Sequence, residues 1–285
     1  MTEHKILFQS QSYTRLTEAC RALTALMYPF KYTHVYIPLL PEALVEVLST
    51  PTPFLIGIHS SLKTDFSETM EVIIAELDTG YVVVPDTVMV PLLPQPYIDD
   101  AISALTLVLQ PDLISADFAF LPPPQPSLPS QVIDKRIRAV FMRMFAQLMQ
   151  GYRSCLTIIR IHPKPVITFH KAGFLGERGL VDCDFTTRVL DSMFFTGFVT
   201  ERGPPWRPCD HWDELYAQMP ELMRQEQLNP SLIIQHIQAS KSNNFIMRRL
   251  QWPESSICSN PSGVGYVVME GGSNITLPMS EASSV

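Results

Sequence analysis

Between Pro51 and Asp86 the hydrophobic positions fall into three short blocks cut by polar punctuation. Phe54-Leu55-Ile56-Gly57-Ile58 begins after Pro53 and stops at His59-Ser60-Ser61. Val72-Ile73-Ile74-Ala75-Glu76-Leu77 is the second block, and Asp78-Thr79-Gly80 turns it into a third, Tyr81-Val82-Val83-Val84. Runs this short and β-branched, bounded by Pro, Gly, Ser and Asp, predict strands buried on both faces. Such strands require helices on each side, because an uncovered apolar face would lie against water.

The flanking sequence supplies them. Residues 4–8, HKILF, predict a first strand, and a helix follows over about residues 12–27, where Leu16, Ala19, Cys20, Leu23, Leu26 and Met27 recur at helical spacing. Val35-Tyr36-Ile37 predicts a brief strand, and Pro41 opens a short helix, PEALVEVLS. A Pro-rich connection leads to a helix over residues 98–109, stopped by Pro111. This order predicts an α/β layered module, a mainly parallel sheet flanked by helices, with an antiparallel edge after the Asp78 turn.

Residues 121–130, LPPPQPSLPS, exclude helix and sheet interior and predict an extended connection. Beyond it the pattern turns mostly α-helical. Ile133, Ile137, Val140, Phe141, Met144, Phe145 and Leu148 form one wide apolar stripe. Gly151 interrupts it, and residues 152–161 continue the helical reading until Pro163. Further helices are predicted over 184–195 and 210–218. After about residue 240 periodicity is lost and Ser, Gly and Asn dominate, which predicts a disordered tail. The expected division is therefore 1–130 (α/β), 131–240 (helical) and 241–285 (tail).

Charge sharpens that boundary. The net charge of −7 argues against general nucleic-acid binding. Residues 1–130 carry 5 Lys/Arg against 14 Asp/Glu, whereas residues 131–188 carry 10 against 4. The basic block is open to two readings, a surface for an acidic partner or anionic membrane and a solvated face balanced within the fold. Five scattered cysteines and no apolar signal core predict a cytoplasmic protein, with peripheral membrane association open to it.

The candidate chemistry is thin. Asp78-Thr79-Gly80 looks like the loop of aspartic proteases, but that chemistry needs two carboxylates sharing a proton and there is no second copy. The same triplet is ordinary hairpin punctuation. No phosphate-cradling glycine loop, nucleophile elbow or zinc spacing is present, and no metal, cofactor or catalytic residue is implied. Cys155 with His162 or His170 reads as a Cys–His pair or as packed histidines. The segment KAGFLGERGL reads as an anion cradle, with Lys171 and Arg178, or as a flexible loop.

Longer phrases carry more. PTPFLIGI (51–58) with VIIAELD (72–78) resembles the central module of DENN domains, and RAVF, FAQL, GYR and FHKAGFL between 138 and 175 resemble the helical module that follows it. The phrases HKILFQSQSYTRLTEACRALTALMYPFKY, VYIPLLPEALVEVLSTPTPFLIGIHSSLK and RGLVDCDFTTRVLDSMFFTGFVTERGPP are most similar to the SET-binding-factor branch of the myotubularin-related pseudophosphatases, over about residues 4–215. The resemblance implies guanine-nucleotide exchange on Rab-type small GTPases at membranes, without covalent chemistry. The family's N-terminal longin-like lobe and its later modules have no counterpart, and Cys183 and Arg188 are one residue too close for a phosphatase Cys-x5-Arg loop. The expectation is thus a fragment or truncated isoform with weak or no exchange alone, the alternative being a non-catalytic scaffold that binds a GTPase or a full-length homologue. Loops at strand C-termini form the usual binding surface of α/β sheets. That nominates His59, Ser60, Ser61, Lys63 and Asp78 as GTPase contacts. Arg138, Arg143, Arg153 and Lys171 are the candidates for an acidic partner or a phosphoinositide surface.

Overall fold

The computed structural model describes residues 1–62, 71–95, 97–110 and 129–229, with positions 232 and 236. The chain begins with β1 (Lys5–Ser10), α1 (Tyr13–Leu26), β2 (Val35–Ile37), a kinked 3₁₀ segment (Glu42–Ser49), β3 (Phe54–His59), β4 (Val72–Glu76), β5 (Tyr81–Val83) and α2 (Tyr97–Leu109). The five strands form one sheet in the order β2-β3-β1-β4-β5. β1 pairs in parallel with β3 and β4, so that Leu7 lies beside Ile56 and Ile74, and β2 is parallel to β3. β5 is antiparallel to β4, the edge expected from the Asp78 turn.

Side-chain alternation builds the layers. Leu7, Phe54, Ile56, Ile58 and Val72 point to one face, where Leu40 and Leu48 of the 3₁₀ region cover them. Phe8 and Leu55 point to the other, against Leu16 and Cys20 of α1. Ser12 starts that helix, its hydroxyl accepting from the Arg15 amide at 3.3 Å. Gly57 lies where β3 passes closest to its cover. A Cβ there would come within 2.1 Å of the Pro38 carbonyl oxygen, while the Gly57 carbonyl accepts from the Leu40 amide at 2.8 Å.

The remainder is mainly helical: α3 (Ser130–Leu148), a 3₁₀ turn (Tyr152–Cys155), β6 (Leu156–Arg160), β7 (Val166–Phe169), α4 (Lys171–Glu177), α5 (Asp184–Asp191), α6 (Met193–Arg202) and α7 (His211–Leu228). Its core gathers Leu148, Tyr152, Phe174, Phe198 and Trp212, and it also takes in Met27 and Phe30 from just after α1. The Phe30 ring meets Phe145 edge-on at 5.3 Å and Phe198 at 4.9 Å. A polar clasp follows the same route. Tyr28 donates to Asp210 at 2.9 Å, and Arg202 forks onto both Asp210 oxygens at 3.0 and 2.8 Å. Burial alone would raise the Asp210 carboxyl, but the Arg202 fork overrides it and holds that carboxyl well below the carboxylate range. The capping box of Asp210 and Asp213 opens α7 from this point.

Several expectations need correction. Residues 156–160 form a strand, not a helix, because Gly151 turns the chain at φ 83° and the β-branched Thr157-Ile158 pair antiparallel with β7. The helix expected over 184–195 is two: Ser192 leaves helical geometry at ψ 155° and caps α6, accepting from the Phe195 amide at 3.2 Å. KAGFLGERGL is no open loop, since α4 occupies its first seven residues. PEALVEVLS winds as 3₁₀ over Glu42–Ser49. α7 runs ten residues past its predicted end at 218, through Pro220. β5 is not buried on both faces, for Tyr81, Val82 and Val83 are all exposed. The Pro-rich stretch 121–128 and the tail 241–285 lie outside the described residues.

Candidate functional site

Parallel pairing places the C-terminal ends of β1, β3 and β4 side by side, ending at Ser10, His59 and Glu76. The register continues past the strands: the Ser60 amide donates to the Ser10 carbonyl at 3.0 Å, and the Leu77 amide to that of Gln9 at 2.9 Å. His59, Ser60, Ser61 and Asp78 are thereby gathered on one ledge. Lys63 lies outside the described residues.

Asp78 is the ledge's organising anion. Its carboxylate accepts from the Gln11 amide at 2.7 Å, the Ser10 hydroxyl at 2.8 Å and the Arg15 guanidinium. The Gln11 amide, then the Ser10 hydroxyl and Arg15, hold its carboxyl below the ordinary value of 3.8. An ionised, arginine-paired carboxylate is the opposite of a proton-sharing dyad, so the protease-like triplet serves as a bracket joining the β4–β5 turn to the start of α1. The His59 ring is fixed just as firmly. Its Nε2 donates to the Gln11 carbonyl at 2.9 Å, which leaves Nδ1 to accept from the Ser61 amide at 3.1 Å, with the Ser61 hydroxyl 2.6 Å away. Tyr13 stacks on it with centroids 4.6 Å apart, leaving the phenol exposed. The ledge therefore offers a pre-set ring, hydroxyls and an ion pair.

Ser10, Gln11, Tyr13 and Arg15 belong to this ledge although the sequence reading passed over them. The signal was available only in part. SQS follows a predicted strand, but β1 had first to be known as the sheet's central strand.

Each of the four basic candidates is paired with a carboxylate. Arg138 bonds Asp134 at 3.0 Å, one turn back on α3. Arg143 meets the buried Glu226 of α7. Arg153 bonds Asp213 at 2.5 Å and lies over the Tyr216 ring, 5.2 Å from its centroid. Lys171 meets Asp191 at 2.6 Å. Arg178 is likewise occupied, by Tyr97 and the Gln147 carbonyl. His170 turns its ring to Thr157 at 3.1 Å and not to the buried Cys155. Among the described residues no group of three or more His, Cys, Asp or Glu is placed to hold a metal ion, and no helix is long and apolar enough to cross a membrane.

Residues 1–80, which hold the ledge and β1 to β4, match the DENN (AEX-3) domain model. The relatives of the chain place it more narrowly. It is 31% identical to myotubularin-related protein 5 of Caenorhabditis elegans, over 83% of this chain and 14% of that protein, consistent with the SET-binding-factor branch. It is 29% identical to the MAP kinase-activating death domain protein of Mus musculus, over 62% of this chain and 14% of that protein. With the DENN domain and WD repeat-containing protein SCD1 of Arabidopsis thaliana it shares 28% identity over 54% of this chain and 14% of that protein. The matched region spans about a seventh of each of these relatives.

Proposed function

We propose that this chain supplies part of a guanine-nucleotide exchange factor for Rab-type small GTPases in membrane traffic, and that His59, Ser60, Ser61 and Asp78 form the surface that meets the GTPase. The observation that carries this reading is the convergence of three parallel strand ends on one ordered ledge inside the residues that match the DENN domain. Lys63 joins the proposal by its place in the sequence, four residues beyond His59.

An exchange factor makes and breaks no bond. It binds the nucleotide-free GTPase more tightly than the loaded form, and by linkage it weakens nucleotide binding by the same factor. A ledge whose side chains are already held by one another suits that task, since little ordering is left to be done on docking. On the same reading a longin-like lobe completes the clamp, so the chain alone accelerates exchange weakly. A phosphoinositide surface at Arg138, Arg143, Arg153 and Lys171 would have to displace the carboxylate that each already holds.

The test is release of fluorescent mant-GDP from a panel of Rab GTPases, with the chain alone and with an added longin lobe. Weak release that the lobe restores supports the proposal, and no binding to any Rab in either form overturns it. Binding that blocks a full-length homologue without promoting release identifies a non-catalytic scaffold instead.

A further inference from the structure

At the far edge of the sheet, β5 presents a surface that the ledge does not use. Tyr81, Val82 and Val83 are 72%, 63% and 57% exposed, although their composition is that of an interior strand. One face of β5 continues the layer of Ile74, its partner at Val83, and the other continues that of Ala75, its partner at Val82. Among the described residues no strand pairs with the outer side of β5. Natural sheets blunt such edges with lysine, an inward charge or a bulge. The run Tyr81 to Val84 has none of these, and what limits the edge is the three-residue length of β5 and Pro85 after it. Beyond β5 the Met89 carbonyl accepts from Arg188 at 3.4 Å, and Met89 and Leu92 are themselves exposed.

Charge says what kind of strand fits. From residue 64 to residue 134 there is no lysine or arginine, against eleven Asp and Glu. Glu71, Glu76, Asp78 and Asp86 flank the edge itself, and of these Asp78 is matched by Arg15. A second copy is a poor occupant. Antiparallel pairing of two β5 strands about Val82 would bring the Asp86 end of each to the Glu76–Asp78 turn of the other, acidic on acidic.

We propose that the outer edge of β5 is a docking edge for an extended apolar segment of a partner protein, flanked by lysine or arginine. The segment would add a sixth strand through its backbone, its alternate side chains would lie on Val82 and on Tyr81 and Val83, and its end charges would meet the acidic flanks. The outer edge of β5 meets the ledge only at Asp78, which Arg15 already holds, and the proposal stands whether or not the ledge receives a GTPase.

Two labelled peptides of about nine residues, a usual strand length, test it: valine alternating with threonine, capped by lysines in one and by glutamates in the other. Fluorescence anisotropy is read on the whole chain, with amide hydrogen exchange followed at residues 81–84. The lysine peptide is expected to bind at least about tenfold more tightly than the glutamate peptide, more weakly as salt rises, and to slow exchange at these amides. Val82→Lys is expected to weaken it about tenfold while leaving the melting temperature unchanged. Equal binding of the two peptides, no binding, or protection elsewhere overturns the proposal. So does slow exchange at 81–84 in the free chain, which would mean that the chain covers its own edge, or a concentration-dependent dimer abolished by Val82→Lys.

Discussion

β3 and β5 are built from the same kinds of residue and meet opposite fates. Phe54, Leu55, Ile56 and Ile58 of β3 are wholly buried between α1 and the 3₁₀ segment, whereas every residue of β5 lies exposed beyond those covers. Local composition decides that both are strands, and position in the sheet order decides which is core. The same apolar side chain therefore stabilises the fold in β3 and is left free for contact in β5.

Four substitutions probe that contrast, and the largest effect is expected at the centre. Phe54→Ala should lower stability by about 4 kcal/mol in urea unfolding, because it empties a fully enclosed site. Gly57→Ala should cost about 3 kcal/mol by the same measurement, since the Pro38 backbone has to move to admit a methyl group. Asp78 links the centre to the edge and gives a pH signature. Its carboxyl lies lower in the folded state than its ordinary value of 3.8, so its stabilisation is present above that value and is lost as pH falls through the folded one. Hydrogen exchange normalised for the intrinsic pH dependence should show the β4–β5 hairpin opening more readily below about pH 4. Asp78→Asn should open it at neutral pH and remove most of that dependence. The smallest effect belongs to Val82→Thr, within about 0.5 kcal/mol of the parent. A loss there as large as that of Phe54→Ala would show β5 to be interior after all.

Much of the layered half was legible because β1, β3 and β4 are short apolar runs between breakers and α1 keeps helical spacing to within a residue of its ends. β5 carried the same signal, and periodicity does not report strand order. β6 was misread because Leu156-Thr157-Ile158-Ile159 follows an apolar helix closely enough to pass for its continuation, while the strand partner that decides the matter lies about ten residues on. The ledge was half visible. His59 and Asp78 stand at strand ends, but Ser10 and Arg15 join them only through a register spanning 63 to 68 residues. The four basic residues looked like an open surface for a similar reason: three of their carboxylates lie 20, 60 and 83 residues away.

Met27, Phe30 and Tyr28 set the aromatic and charged anchors of the helical half into the turn after α1. A protease that cut the chain between α2 and α3 would accordingly leave two pieces that travel together through gel filtration and come apart only on denaturation. Expressed separately, each piece would display to water the greasy surface that the other normally hides, and precipitation would be the first symptom.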